Sequence, residues 1–159
     1  SDPFAPPNLH FVHEAAESMQ LNRVRSGAVL MAGSGMCTGG RVRHHLRYNL
    51  PLADCSVIFV GFAARGTPAR RVIDGAKTLR LFGEEVPVRA AIHTINGFSA
   101  HADASELAAW HAMAAGPETR TFLVHGEDEE RAAFARRLTH GDHRRAKVET
   151  PGMHEVFEL

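Results

Sequence analysis

The stretch Asn96-Gly97-Phe98-Ser99-Ala100-His101-Ala102-Asp103 follows a short apolar run and precedes a segment with helical spacing. Asp103 and Glu106 form the D-x-x-E pattern of a capping box, which marks the start of a helix. Ser99 and His101 are therefore predicted to lie on a strand-to-helix loop. Such a loop holds a hydroxyl and an imidazole at the end of a sheet, where the first amides of the helix attract anions.

A second histidine occupies the same kind of position. The apolar residues 121–124 predict a short buried strand, and His125-Gly126-Glu127 follows it directly. Ligands of open α/β sheets gather beyond the carboxyl ends of strands, so His101 and His125 are candidates for one site. Spacing alone leaves open the alternative that both are ordinary polar loop residues.

Two glycine-rich loops lie upstream, each between an apolar run and a basic helical segment. Gly33 to Gly40 follows a predicted strand at Ala28 to Ala32, and Gly61 to Gly66 follows another at Ser56 to Val60. Thr67 is predicted to cap the helix after the second loop. Glycines expose backbone amides, which together with nearby arginines attract phosphates. The repeated order of strand, loop and helix predicts an α/β fold with mainly parallel strands.

Neither loop matches a nucleotide-binding fingerprint. In the first loop a Rossmann pattern would need a glycine where Thr38 stands, and the acidic candidate Asp54 precedes the next strand instead of ending it. The second loop resembles a Walker A loop but lacks its lysine, which excludes nucleotide hydrolysis by that route. The arginines of the following helices are either anion contacts or a solvated face.

Other apolar runs predict further strands. Residues 79–82 and 86–92 flank a turn at 83–85 and predict a hairpin. Residues 147–150 and 155–159 predict two closing strands near the end of the chain.

Two further groups of histidines have structural interpretations. One helical stripe contains Leu107, Trp110, His111 and Ala114. His111 is therefore expected in the core or at its boundary, and not in a ligand-binding role. The group His140-Gly141-Asp142-His143 has metal-binding residue types, but its position at a helix end favours capping.

The composition is that of an ordinary globular protein. The chain has 159 residues, 44% of them hydrophobic and 23% charged, enough for one core or two small ones. The 18 basic residues balance the 18 acidic ones, so attraction of nucleic acid must come from local clusters. No apolar run approaches the roughly 20 residues that span a bilayer, which predicts no membrane association. Cys37 and Cys55 form no disulfide framework or C-x-x-C motif, which fits a cytoplasmic protein.

Four motifs in this chain resemble one protein family. F-S-A-H-A-D and V-H-G-E follow G-S-G-M-C-T-G-G-R at Gly33 to Arg41 and G-F-A-A-R-G-T-P-A-R at Gly61 to Arg70. In this order they resemble the C-terminal motifs of the beta-CASP branch of the metallo-β-lactamase superfamily, the nucleases that process RNA. The resemblance covers nearly the whole chain. Ala69 departs from it, because the family pattern G-T-x-G-R has a second glycine there.

The resemblance implies a division of the chain into two parts. Residues 1–84 would be the C-terminal half of a beta-CASP domain, with part of its parallel sheet. Residues 85–159 would be the C-terminal αβ segment of a metallo-β-lactamase fold, the RNA-specificity region. The chain also begins with Ser1, which suggests a segment excised from a longer protein. The function implied is the C-terminal fragment of a zinc-dependent RNA-processing phosphodiesterase, an exo- or endoribonuclease.

The resemblance also implies roles for individual residues. His101 would assist catalysis as a proton donor or beside the metal, and His125 would bind zinc. Contacts to RNA phosphates are implied or predicted for Ser34, Gly35, Thr38, Gly39, Gly40, Arg41, Arg65, Gly66, Thr67, Arg70 and Ser99.

Most metal ligands of the family stand in an H-x-H-x-D-H motif and other residues of an N-terminal lactamase segment. This chain contains no such motif, and the adjacent helical residues His44 and His45 do not point the same way. We therefore expect two zinc ions in a longer parent protein, and neither stoichiometric zinc nor RNA cleavage in this chain alone. The expected partners are RNA and the N-terminal lactamase segment, with homodimer formation left open. The alternative is a non-catalytic RNA-binding or assembly module without a metal-binding half.

Overall fold

The computed structural model describes residues 6–98, 101–116, 118–140 and 147–158. In chain order the elements are α1 Ala15–Leu21, α2 Val42–Asn49, β1 Ser56–Val60, α3 Pro68–Ile73, β2 Thr78–Leu81, β3 Glu84–Pro87, β4 Ala91–Ile95, α4 Ala104–Ala114, β5 Arg120–Phe122, α5 Asp128–His140 and β6 Lys147–Glu149. They form two compact units, Ser1–Ser99 and Ala100–Leu159. The family boundary predicted at residues 84/85 stays a prediction.

Strands β1 and β4 of the first unit pair in parallel, from Ser56 opposite Ala91 to Val60 opposite Ile95. A parallel pair needs a long crossover, and the chain between the two strands supplies α3 and the β2–β3 hairpin. The mixture of helices with parallel strands confirms the predicted α/β class.

Strands β2 and β3 form the predicted hairpin, with Leu81 opposite Glu84. The turn consists of Phe82 and Gly83, whose φ angles are +52° and +84°, and not of residues 83–85 as predicted, because Glu84 and Glu85 belong to β3. Positive φ at both positions is typical of the tight turns that match the twist of a hairpin. The prediction of one strand over 86–92 is wrong, because β3 ends at Pro87 and β4 is a separate strand. Between them, the Arg89 and Ala90 amides donate to the Leu50 carbonyl and turn the chain away from the hairpin.

Two other predicted strands are also wrong. Ala28 to Ala32 has no strand structure, and Val29 and Met31 are 84% and 78% exposed. An apolar run becomes a buried strand only where neighbouring elements pair with it and cover it, and β1 instead pairs with β4. In the closing strand predicted over 155–159, the described residues 155–158 are irregular.

The core of the first unit is a single buried cluster. Leu79 and Leu81 alternate with exposed residues in β2, and Leu46 and Leu50 lie one helical turn apart. The other members of the cluster are Cys37, Phe59, Ala63, Ala69, Val72, Val86 and Ala90. The cluster joins the start of α2 and both glycine loops to the strands beneath them.

The second unit contains the parallel pair β5–β6 and helices α4 and α5. Leu138 and His111 are buried, as predicted for His111. The rest of the predicted α4 stripe lies at the surface, and Trp110 is 64% exposed. Because α4 is apolar on most of its sides, residue spacing does not identify which side faces the core.

Candidate functional site

The two glycine-rich loops meet at Met36. Its carbonyl accepts a hydrogen bond from the Ala69 amide (3.2 Å), and its Sδ atom accepts one from the Ala64 amide (3.3 Å). The first loop therefore rests on the second loop and on the first turn of α3. Sequence reasoning did not select Met36, whose one signal is a large apolar side chain between glycines. The structure thus brings together the two loops predicted to contact phosphates.

The first loop closes on itself around Gly40. This residue has φ +78°, and a Cβ atom there would lie 2.6 Å from the Gly33 carbonyl oxygen. The Val42 amide also donates to that oxygen at 3.4 Å. Gly40 therefore has a structural requirement for glycine. Of the other residues of this loop predicted to contact phosphate, Gly39 is half-buried, and Ser34, Gly35 and Thr38 are exposed.

The second loop ends in a helix cap formed by Thr67. Its hydroxyl accepts a hydrogen bond from the Arg70 amide (3.2 Å) and donates one to the Ala64 carbonyl (2.7 Å). This confirms the predicted N-cap, with Pro68 as the first helical residue. Because the proton of the hydroxyl is used within the loop, Thr67 positions the loop. Arg65 and Gly66 stand exposed in the turn before it.

Two arginines predicted to contact phosphate also contact protein groups. Arg41 donates to the Val12 carbonyl at 2.8 Å and to the His13 carbonyl, which holds the segment before α1 against the start of α2. Arg70 pairs with Asp74 one turn along α3, and this hydrogen bond lowers the pKa of the Asp74 carboxyl. A phosphate at either guanidinium would share it with these acceptors or replace them.

The basic side of α2 contacts the turn of the β2–β3 hairpin. The guanidinium of Arg43 lies 4.6 Å from the centre of the Phe82 ring. The centres of the His44 and Phe82 rings lie 4.4 Å apart. Arg47 forms an ion pair of 2.8 Å with Glu84. Arg43, His44 and Arg47 therefore pack the hairpin against the helix, a structural role that the sequence did not reveal.

A buried histidine ties α1 to α2. His45 Nε2 lies 3.0 Å from Ser18 Oγ, and His45 Nδ1 lies 3.2 Å from Asn22 Oδ1. Burial lowers the pKa of His45, and the nearby His44 and Arg41 lower it further. A neutral imidazole that donates through Nδ1 and accepts through Nε2 satisfies both partners. Because Ser18 and His45 are both buried, this network is structural.

His101 lies exposed in the loop three residues before the start of α4 at Ala104. The Asp103 carboxylate accepts hydrogen bonds from the amides of Ser105 (2.7 Å) and Glu106 (2.9 Å), and Glu106 accepts one from the Asp103 amide. These bonds lower the pKa of Asp103 and confirm the predicted capping box. The cap fixes the end of the loop that carries His101. Ser99 lies outside the described residues.

His125 lies exposed after β5, and Gly126 with φ +115° follows it. The contact of 2.8 Å between His111 Nε2 and Thr121 Oγ1 fixes this strand to α4. Arg131 donates to the carbonyls of Leu123 and Pro151 and thereby joins α5 to the segments that follow β5 and β6. Convergence of His101 and His125 on one site stays a prediction.

Within the described ranges, no group of three or more His, Cys, Asp and Glu side chains could hold a metal ion. His140 is the last residue of α5, and its Nδ1 atom lies 3.0 Å from the Arg136 carbonyl, which fits the capping interpretation. Gly141, Asp142 and His143 lie outside the described residues. A single imidazole such as that of His125 falls short of the three or four protein ligands that zinc takes.

Charge is distributed unevenly between the two units. Residues 1–99 contain eleven Lys and Arg against seven Asp and Glu, and residues 100–159 contain seven against eleven. The zero net charge of the chain therefore conceals a basic first unit, which carries both glycine loops. In the part of the chain that the structure describes, no helix is long and apolar enough to cross a membrane.

Comparison with known proteins assigns both parts of the chain. Residues 1–72 match the Beta-Casp domain, and residues 85–151 match the Zn-dependent metallo-hydrolase RNA specificity domain. Ribonuclease TTHA0252 of Thermus thermophilus is 40% identical over 137 residues, which are 86% of this chain and 31% of that protein.

Two archaeal proteins are also similar. Transcription termination factor FttA of Pyrococcus abyssi is 33% identical over 81% of this chain and 21% of its own length. An RNase J-like protein of Methanocaldococcus jannaschii is 31% identical over 78% of this chain and 28% of its own length. The chain thus spans less than a third of the length of each of these relatives.

Proposed function

Because this chain belongs to the beta-CASP family of the metallo-β-lactamase superfamily, we propose that it is the C-terminal part of a zinc-dependent RNA-processing phosphodiesterase. The observation that carries the proposal is the succession of the two family segments in one chain, together with the 40% identity to a ribonuclease. The family membership confirms the resemblance seen in the four motifs. The match of residues 85–151 to a Zn-dependent metallo-hydrolase domain supports the dependence on zinc.

The first unit would contact the phosphates of RNA. Its support is the contact between the two glycine loops at Met36, which brings exposed residues of both loops together in the basic unit, with Arg65 among them. Phosphate contacts of this kind supply affinity that falls as the salt concentration rises. Arg41 and Arg70 belong to this surface only if RNA displaces or shares their protein acceptors.

The second unit would contribute to the chemistry through its two loop histidines. We assign His125 as one zinc ligand, which requires a neutral imidazole, and His101 as a proton donor, which requires a protonated one. The described residues do not complete a zinc site. We therefore assign the remaining ligands to an N-terminal lactamase segment of a longer parent, as the length of the relatives suggests. The two free cysteines fit a cytoplasmic location for that parent.

The second candidate is a non-catalytic RNA-binding or assembly module. Its support is that the described residues contain a basic unit but no three-ligand metal cluster. The two candidates differ in what precedes this chain in its gene, because only the hydrolase requires an upstream H-x-H-x-D-H motif. The hydrolase and an RNA-binding module agree on RNA binding by the first unit, whereas an assembly module does not require it.

Metal content and RNA cleavage test the proposed hydrolase. The 159-residue chain should contain no stoichiometric zinc and should not cleave RNA. The parent should bind zinc and cleave RNA. In the parent, His125→Ala should lower bound zinc and activity together. His101→Ala should abolish turnover but leave most of the metal, since a proton donor is not a ligand.

The matched control is His10→Ala, which removes an exposed histidine far along the chain from both motifs. It should change neither metal content nor turnover. One zinc per 159-residue chain, or equal loss of metal from both parent variants, would contradict the assigned roles. A parent without zinc and without cleavage would favour the non-catalytic module.

A further inference from the structure

Two exposed aromatic rings lie just beyond the ends of the paired strands β1 and β4. Phe62 comes two residues after Val60, and Phe98 comes three residues after Ile95. The parallel register pairs Val60 with Ile95, and the Gly61 amide extends the pairing by donating to the Ile95 carbonyl at 3.0 Å. Both phenylalanines therefore leave the same end of the same pair of strands.

The exposure of these rings is large. Phe62 is 69% exposed and Phe98 is 73% exposed. At about 3.5 Å per residue, their Cα atoms lie within about 7 Å and about 11 Å of the ends of β1 and β4. Val60 and Ile95, the last residues of the two strands, are also exposed, so four exposed apolar residues stand at or just beyond this end of the strand pair. Exposed apolar residues grouped in this way are more typical of a binding site than of a surface that contacts only water.

The surroundings of the rings favour nucleic acid as the occupant. Phe62 stands in the second glycine loop, three residues before the exposed Arg65. That loop contacts the first glycine loop at Met36, and the whole unit has an excess of basic residues. Proteins that bind single strands combine a positively charged surface for the backbone with aromatic side chains that stack on successive bases.

We infer that Phe62 and Phe98 stack on bases of single-stranded RNA whose phosphates contact the adjoining glycine loops. The inference rests on the proposed function, because it requires that the chain binds RNA. Stacking uses the π face that every base has, so this site tolerates different sequences. The site thus contributes affinity that does not depend on charge, in addition to the salt-sensitive contacts of the loops.

Three alanine variants test the inference, since the chain contains a matched control. Phe62→Ala and Phe98→Ala each remove a proposed stacking ring, and Phe11→Ala removes a ring that is 68% exposed in the segment before α1. The probes are a labelled oligouridylate and an abasic ribose-phosphate oligomer of the same length. Each stacking variant should bind the oligouridylate about tenfold more weakly, whereas Phe11→Ala should bind it like the wild type.

The abasic probe separates stacking from backbone contacts. The wild type and all three variants should bind it equally, because it offers phosphates but no bases. The slope of affinity against salt concentration should likewise be unchanged by either stacking variant, since no phosphate contact is lost. Phe62→Trp should keep the affinity of the wild type, which shows that loss in the alanine variant reflects the missing ring and not a misfolded loop.

The possible failures are distinguishable. If the chain binds the oligouridylate and both stacking variants bind it equally well, the stacking site is wrong and RNA binding by the chain stands. If the wild type binds neither probe, RNA binding fails and the stacking site with it. If Phe62→Ala and Phe98→Ala dissociate a dimer in sedimentation but leave RNA affinity unchanged, the surface binds a second copy of the chain and the inference is overturned.

Discussion

The amide of Ala69 donates a hydrogen bond of 3.2 Å to the carbonyl of Met36, and this bond joins the two glycine-rich loops. Ala69 is fully buried in the core of the first unit. It is also the position at which this chain departs from the glycine of the family pattern. The burial shows that the methyl group is accommodated in the core, and the bond shows that the amide is already occupied by protein.

Ala69→Gly should therefore weaken the fold without improving RNA binding. Glycine in a helix costs about 1 kcal/mol relative to alanine, and the buried methyl group is lost as well. Urea unfolding should show a lower free energy of unfolding, while the affinity for single-stranded RNA stays unchanged. Tighter RNA binding by the glycine variant would mean that the methyl group restricts approach of the ligand.

Gly40→Ala should destabilise the first loop strongly. The added Cβ would lie 2.6 Å from the Gly33 carbonyl oxygen at a positive φ angle, and the obstructing atom belongs to the backbone. We expect a loss of about 1–3 kcal/mol in the free energy of unfolding. Gly39→Ala is the control, because a Cβ there meets nothing within 4 Å. Equal stability of the two variants would show that the loop relaxes around the substitution.

Arg41→Ala should release the segment before α1. The guanidinium holds the carbonyls of Val12 and His13, and these bonds are lost with the side chain. Limited proteolysis should cut within residues 6–13 faster than in the wild type. Arg47→Ala is the matched control, since Arg47 pairs with Glu84 of the hairpin and leaves that segment untouched. Unchanged cleavage of the Arg41 variant would show that these two hydrogen bonds do not hold the segment in place.

The stability of the first unit should fall below neutral pH because of His45. Its pKa is lowered from 6.5 in the folded state, by burial first and then by His44 and Arg41. The unfolded chain therefore takes up the proton more readily, and the free energy of unfolding decreases as the pH falls below about 6.5. His45 faces Ser18 and Asn22, neither of which is charged.

Urea unfolding at pH 7.5 and pH 5.5 measures this dependence. His45→Gln should be less stable than the wild type at pH 7.5 but should lose less stability on acidification. The exposed His10 gives the control, because His10→Gln should retain the full dependence of the wild type. An identical pH dependence in His45→Gln would place the responsible group elsewhere.

Several features of this protein could be predicted from residues close together in the sequence. The segment from β1 through the second glycine loop to α3 matches the prediction, because Thr67 caps the helix with its own hydroxyl. The capping box of Asp103 and Glu106 and the hairpin of β2 and β3 were also predicted, because each is formed by residues close together in the chain. Their hydrogen bonds and φ angles depend on neighbours in the chain.

Pairing and burial were decided by the tertiary structure alone. The apolar run Ala28 to Ala32 has the composition of a strand, but β1 pairs with β4, and the run remains exposed. The helix α4 buries His111 and exposes Trp110, although both lie on one predicted stripe. Arg41 holds a distant backbone segment that no local pattern indicates. The physical reason is that contacts between residues far apart in sequence decide which strands pair, which side of a helix is buried and which groups accept hydrogen bonds from an arginine. Local propensity does not encode these contacts.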